Sequence, residues 1–274
     1  MKKAIITSLL LALSFSIGGC YSNSAEEPDL YAEYAVKNGE IVLGQGLEND
    51  GSVHGDDKII WNKINRIIPK QYLQMVSKYK VETDGLDGVL ASVNLNEDNK
   101  TWTISIDLDD TLDENKEFKG TSTLTVIHEM AHIVALNNSQ TIETTGNAEL
   151  YAVDEGTLRK DAYLSVFYDK FWKNQPVETM QDGAVMPNQI DKKKGLYNEN
   201  PDAFITEYAA SDPVEDFAES FAYFVILEKP TDNRLQSQKL SFFYDYPEFV
   251  QIRNDVRAKI DLHKVIKDSK AERQ

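Results

Sequence analysis

The 274-residue chain holds a single cysteine, Cys20. No disulfide can form within it, and no thiolate is available inside the fold as nucleophile or metal ligand. The folded part must stand on its hydrophobic core alone. Positive charge is also scarce. The 29 Lys and Arg against 45 Asp and Glu leave a formal net charge of −16, which argues against nucleic acid and against electrostatic adsorption to anionic lipid. Imidazole is rarer still, with four histidines at 54, 128, 132 and 263. Neither an internal repeat nor a low-complexity tract is present.

Long apolar runs are missing except at the start. Lys2-Lys3 precedes an apolar stretch from Ala4 to Ile17, too short for a comfortable membrane span. Small residues then lead to Cys20. This ending resembles the bacterial lipobox, and the resemblance implies cleavage before Cys20, lipidation of that residue and an extracytoplasmic, membrane-anchored protein. The plain alternative is a secretory peptide with an incidental cysteine. Loss of residues 1–19 would leave 255 residues and, with Lys2 and Lys3 gone, a charge of −18. That length supports one domain with a sizeable core or two small ones. Residues 20–57 read as a polar, acidic tether with one short strand at Glu40–Leu43, and 58–274 as the functional domain. His54, in the tether, reads as exposed.

The most informative segment is His128-Glu129-Met130-Ala131-His132, an HExxH pattern. Apolar residues at Leu124, Ile127, Ala131, Val134 and Ala135 predict a helix over Thr121–Leu136, with Thr121 or Ser122 as N-cap and Asn137-Asn138-Ser139 as the stop. On a helix, positions i and i+4 share a face, so two imidazoles can grip one zinc ion while Glu129 reaches a water beside it. The bland reading is a core helix with two satisfied histidines.

Around this helix, Lys58–Tyr79 reads as helical with an interruption at Pro69. Val89–Leu95 and Trp102–Leu108 read as strands joined by a hairpin at Asn96–Lys100. The sequence leaves open which strand is the sheet edge. A helix is predicted over Thr157–Trp172, its aromatics turned to the core, within a mixed insertion spanning 137–201. Asp154-Glu155 lacks a spaced ligand series and reads as surface. Val214–Leu227 is a predicted helix with Asp212 as N-cap and Pro213 in the first position. Helical material over Tyr246–Lys267 closes the chain, with His263 exposed.

Catalytic zinc takes three protein ligands and leaves one position for water. No histidine follows His132 at metzincin spacing, so a carboxylate from another helix is required. The block Glu207–Phe221, with Tyr208, Glu215, Phe217, Ala218 and Glu219, resembles the catalytic domain of anthrax lethal factor and the Pro-Pro endopeptidases. The resemblance implies a gluzincin-like metallopeptidase with one zinc ion held by His128, His132 and Glu215. It also implies that Glu219 steadies a ligating histidine and that Tyr208 stabilises the oxyanion. Independently, Glu215 and Glu219 share a helix face, and half-buried carboxylates need a partner. Asp212-x-x-Glu215 also reads as a capping box. The expected fold is α+β and zincin-like: a small, mostly antiparallel sheet and the active-site helix over a helical lower part. The expected activity is hydrolysis of a peptide or protein substrate, with Glu129 as general base and no nucleic-acid partner. The competing class is a non-catalytic, zinc-containing surface lipoprotein. Oligomeric state is not legible.

Overall fold

A computed structural model describes residues 29–43, 55–83, 85, 89–142, 150–173 and 196–271. Residues 1–19, read as a signal, Cys20, His54 and much of the 137–201 insertion lie outside these residues. The architecture is α+β. Strands β1 (Asp29–Lys37), β2 (Glu40–Leu43), β3 (Val76–Thr83), β4 (Ala91–Leu95) and β5 (Trp102–Asp107) form one sheet in the order β2-β1-β3-β5-β4. Only the β3–β5 pairing is parallel; the other three are antiparallel. This is the small, mostly antiparallel sheet expected. Among the described residues β4 pairs with β5 alone, so it is one edge of the sheet, and β2 closes the far side.

Two sequence readings are corrected here. The tether ends earlier than 57, because β1 is a full member of the sheet, pairs with both β2 and β3, and buries Ala32 and Tyr34. Asp57 is itself buried, accepting a hydrogen bond from the Tyr34 hydroxyl. Acidic composition masked the inward alternation of Ala32 and Tyr34. The helical reading of 58–79 holds for α1 (Gly55–Ile67) and a single turn, α2 (Lys70–Leu73), after Pro69. The chain then becomes β3. A bulge between Val76 and Lys78 shifts the strand's phase. Val76 and Tyr79 therefore sit three residues apart on the buried side, which imitates a helical period.

β5 is buried on both faces, polar Thr103, Ser105 and Asp107 included. The Asn96–Lys100 hairpin forms as read. Asp98 accepts from the Lys100 and Thr101 amides, and Asn99 takes the left-handed conformation at φ 53°. After the short α3 (Leu108–Thr111) comes α4 (Gly120–Leu136), the HExxH helix. Fifteen of its 17 residues are buried, so it is a central helix rather than an amphipathic one. Only Leu124 and His132 keep partial exposure.

Neither Thr121 nor Ser122 caps α4. The cap comes from a distance: Asp268 on α9 (Leu262–Ala271) accepts from the Gly120 amide at 3.0 Å. Gly120 is required by this approach, since a Cβ there would stand 2.6 Å from Asp268 Oδ2 and 2.8 Å from the Lys264 carbonyl oxygen. At the other end, Asn137 stops the helix as expected, its side-chain amide donating to the Ile133 and Val134 carbonyls.

The lower part is helical. A three-stranded sheet of β6 (Thr141–Ile142), β7 (Ala152–Val153) and β8 (Gly156–Leu158) leads to α5 (Tyr163–Phe171). The strand β8 thus takes the start of the predicted 157–172 helix. α6 (Pro213–Ile226) begins as read, with Asp212 accepting from the Val214 and Glu215 amides and Pro213 in the first turn. α7 (Leu235–Phe242) and α8 (Pro247–Arg257) pack around it, and the helical material read over Tyr246–Lys267 is formed by α8 and α9. Phe167, Phe217, Phe221, Phe243 and Phe249 meet edge to face at 5.1–5.7 Å between centroids. Arg253 and Arg257 satisfy the last carbonyls of α6.

Candidate metal centre

α4 and α6 cross against each other, and their facing sides carry the titratable residues singled out in the sequence. His128 and His132, one turn apart on α4, bring their Nε2 atoms to 3.0 Å. Glu215, in the first turn of α6, places Oε2 3.1 Å from His128 Nε2 and 3.5 Å from His132 Nε2. The capping-box alternative for Glu215 is not taken up: its carboxylate faces the imidazoles, while Asp212 alone caps the helix.

Four ligands at about 2.05 Å in a tetrahedron stand about 3.3 Å apart. The observed triangle of 3.0, 3.1 and 3.5 Å matches that edge length. The lone pairs also fit. His128 Nδ1 lies 2.8 Å from Glu219 Oε1. A proton held there on Nδ1 would free Nε2 for a metal ion. Glu215 Oε2 is buried without a hydrogen-bond partner among the described residues. A bare nitrogen and a carboxylate oxygen at 3.1 Å repel unless positive charge lies between them. The donor set therefore fits a divalent cation of the zinc type.

Glu219, one turn beyond Glu215, is fully engaged. Its second oxygen accepts from the Thr206 hydroxyl at 2.6 Å, and Thr206 Oγ1 in turn accepts from the Ala209 amide at 3.0 Å. Thr206 was missed in the sequence. No spacing rule links it to a residue 13 positions away, and a lone threonine in a loop carries no signal.

The 3-10 turn Tyr208–Ala210 sets Tyr208 beside the cluster, its ring centroid 5.9 Å from that of His128. Burial, then the Glu215 carboxylate, raise its pKa well above the ordinary tyrosine value, so the hydroxyl keeps its proton. Glu129 is buried, its carboxyl group coming within 4.8 Å of the histidine ligand atoms. Its carboxylate accepts from the Val93 amide on the edge strand β4. Burial pushes the Glu129 pKa up and the imidazoles only partly offset this.

The charges answer one another. Burial alone would lower both histidine pKa values, but the carboxylates of Glu215 and, for His128, Glu219 outweigh it and raise both. Burial would raise Glu215, but His132 and His128 hold it well below the usual carboxylate range. The cluster binds positive charge tightly, whether protons or a metal ion.

Glu155, read as surface, is half-buried on the β7–β8 turn. Burial raises its pKa, and it feels both His132 and Glu215. His263 is exposed, as expected.

No family model matches the chain, and no curated protein matches it. Among solved structures it is similar to a protein of Bacteroides caccae described as a "putative zinc-binding metallo-peptidase". The two are 16% identical over 77% of this chain and 78% of that chain, with a TM-score of 0.37.

Proposed function

We propose that this chain is a zinc-dependent peptidase. One observation carries the reading: the triangle of His128 Nε2, His132 Nε2 and Glu215 Oε2, with edges of 3.0, 3.1 and 3.5 Å. These three side chains would hold one Zn²⁺, and Glu219 with Thr206 would fix the tautomer of His128. Zinc held there supplies a Lewis acid that acidifies water and polarises a carbonyl.

The chain's own groups do the rest. Glu129 takes the proton of the attacking water and returns it to the leaving amine; its raised pKa brings it closer to the range suited to that transfer. Tyr208, protonated and at the cluster, donates to the carbonyl oxygen as negative charge builds. Among the described residues the outer edge of β4, beside α4, is unpaired by any strand, and an extended peptide pairing with it would lie across Glu129. Lipidation of Cys20 would hold the enzyme on the outer side of a bacterial membrane, acting on extracellular or envelope proteins.

A purely structural zinc site, or a binding module, needs neither a base nor an oxyanion donor. Glu129 and Tyr208 at the cluster favour catalysis. The test is incubation of the purified full-length protein with a diverse peptide library, with and without chelator, read by mass spectrometry. Chelator-sensitive cleavage that returns on adding Zn²⁺ is the expected result. Metal uptake with no cleavage of any peptide would support the binding-module reading instead.

A further inference from the structure

Behind the candidate metal centre lies a fully buried ion pair that the proposed chemistry does not use. Asp216, next to Glu215 in the first turn of α6, points the opposite way. Its Oδ2 accepts from Lys239 Nζ at 2.6 Å and from Trp172 Nε1 at 2.7 Å, and its Oδ1 from Ser220 Oγ at 3.3 Å. Both charged side chains are buried, Lys239 at 1% and Asp216 at 0% exposure. The Lys239 ammonium also sits 3.9 Å from the centroid of the Phe204 ring. Such a pair is a poor means of stabilising a fold. The desolvation of two charges rivals their attraction, and apolar residues of equal volume commonly do as well.

Its placement shows another use. Lys239, from α7, touches both segments that build the site. Through Asp216 it holds the first turn of α6, which carries Glu215. Helix ends fray most easily at that turn. Through Phe204 it holds the segment that carries Thr206, the partner of Glu219, and Tyr208. Trp172, just past α5, closes the clamp from a third side. We propose that the Asp216–Lys239 pair is a positioning device, locking the Glu215 turn and the 204–208 segment to one buried charge. This rests on the zinc-site reading above.

The test separates positioning from bulk stability. Asp216→Asn alone strands a buried ammonium and should lower Tm sharply. The double variant Asp216→Asn with Lys239→Met removes both charges and should recover most of that loss. Full-length wild type and double variant are then titrated with Co²⁺ and Zn²⁺. The clamp requires that the double variant, with Tm restored, still bind metal roughly tenfold or more weakly and show altered Co²⁺ d–d bands. Affinity and spectrum returning together with Tm would overturn it. A wild type that takes up no Co²⁺ or Zn²⁺ overturns the metal reading and the clamp with it. Phe204→Leu, which keeps an apolar filler but removes the ring, provides a second arm that needs no double variant. It should lower kcat through Tyr208 and weaken Zn²⁺ affinity through Thr206 and Glu219; an unchanged kcat and affinity together count against the clamp.

Discussion

Glu219→Gln tests the geometry of the site with the smallest change in shape. Glu219 accepts two hydrogen bonds, from His128 Nδ1 at 2.8 Å and Thr206 Oγ1 at 2.6 Å, with its side chain only 9% exposed. A neutral amide is isosteric but offers one acceptor oxygen and one NH₂. If the oxygen faces His128, a charge-assisted hydrogen bond of about 1.5–3 kcal/mol becomes a neutral one of about 1 kcal/mol. Thr206 then loses its acceptor as well. If the NH₂ faces His128, the ring proton is forced onto Nε2, the nitrogen that must be bare for metal. Either outcome costs about 1.4–2.7 kcal/mol of metal binding, a 10- to 100-fold weaker Zn²⁺ affinity. The assay is competition with a chromophoric chelator at neutral pH, with thermal unfolding to show that the fold persists. An affinity within twofold of wild type would refute the tautomer argument.

Glu129→Gln should keep Zn²⁺ affinity within a few fold while hydrolysis drops by about 10²–10⁴; full activity in that variant refutes the base assignment. Tyr208→Phe should reduce kcat by about 10² with metal occupancy unchanged, and equal losses of both would mark the tyrosine as structural. Gly120→Ala places a methyl group against the Lys264 carbonyl and Asp268, so α9 must shift; urea unfolding should show a loss of about 2–3 kcal/mol, and a neutral or stabilising result would contradict the close approach. The pH dependence has a defined sign. In metal-free protein the folded state holds the protons of His128 and His132 more tightly than the unfolded chain does. Their contribution is therefore present in full below about pH 6.5 and is lost as pH rises through the raised values. Zinc competes with those protons and should reverse the slope of Tm against pH in that window; parallel slopes with and without zinc would exclude the site.

The parts of the site legible in the sequence were those written as short-range pattern. His128, Glu129 and His132 share one helix turn, and Asp212-Pro213 announces the start of α6 three residues before Glu215. The i, i+4 spacing then places Glu219 on the same face. What escaped notice depends on tertiary contact. Thr206 matters only because Glu219 reaches it. Glu155 looks like a surface acid until β7 and β8 fold back toward α4. The cap of α4 is supplied by Asp268, 148 residues from Gly120, where local rules pointed to Thr121 or Ser122. β3 was hidden by its bulge and β1 by its acidic neighbours, so the edge identity of β4 became readable only once the strand order was known.

Were Cys20 lipidated as proposed, the nine residues up to the entry of β1 into the sheet at Asp29 would span at most about 30 Å. A tether running to Asp57 would have allowed about 120 Å. Such an enzyme would patrol a thin layer directly above its own bilayer. Neighbouring anchored proteins and the stalks of larger ones would then fall inside that radius, whereas a diffusing protein would be vulnerable only during the time it spent there.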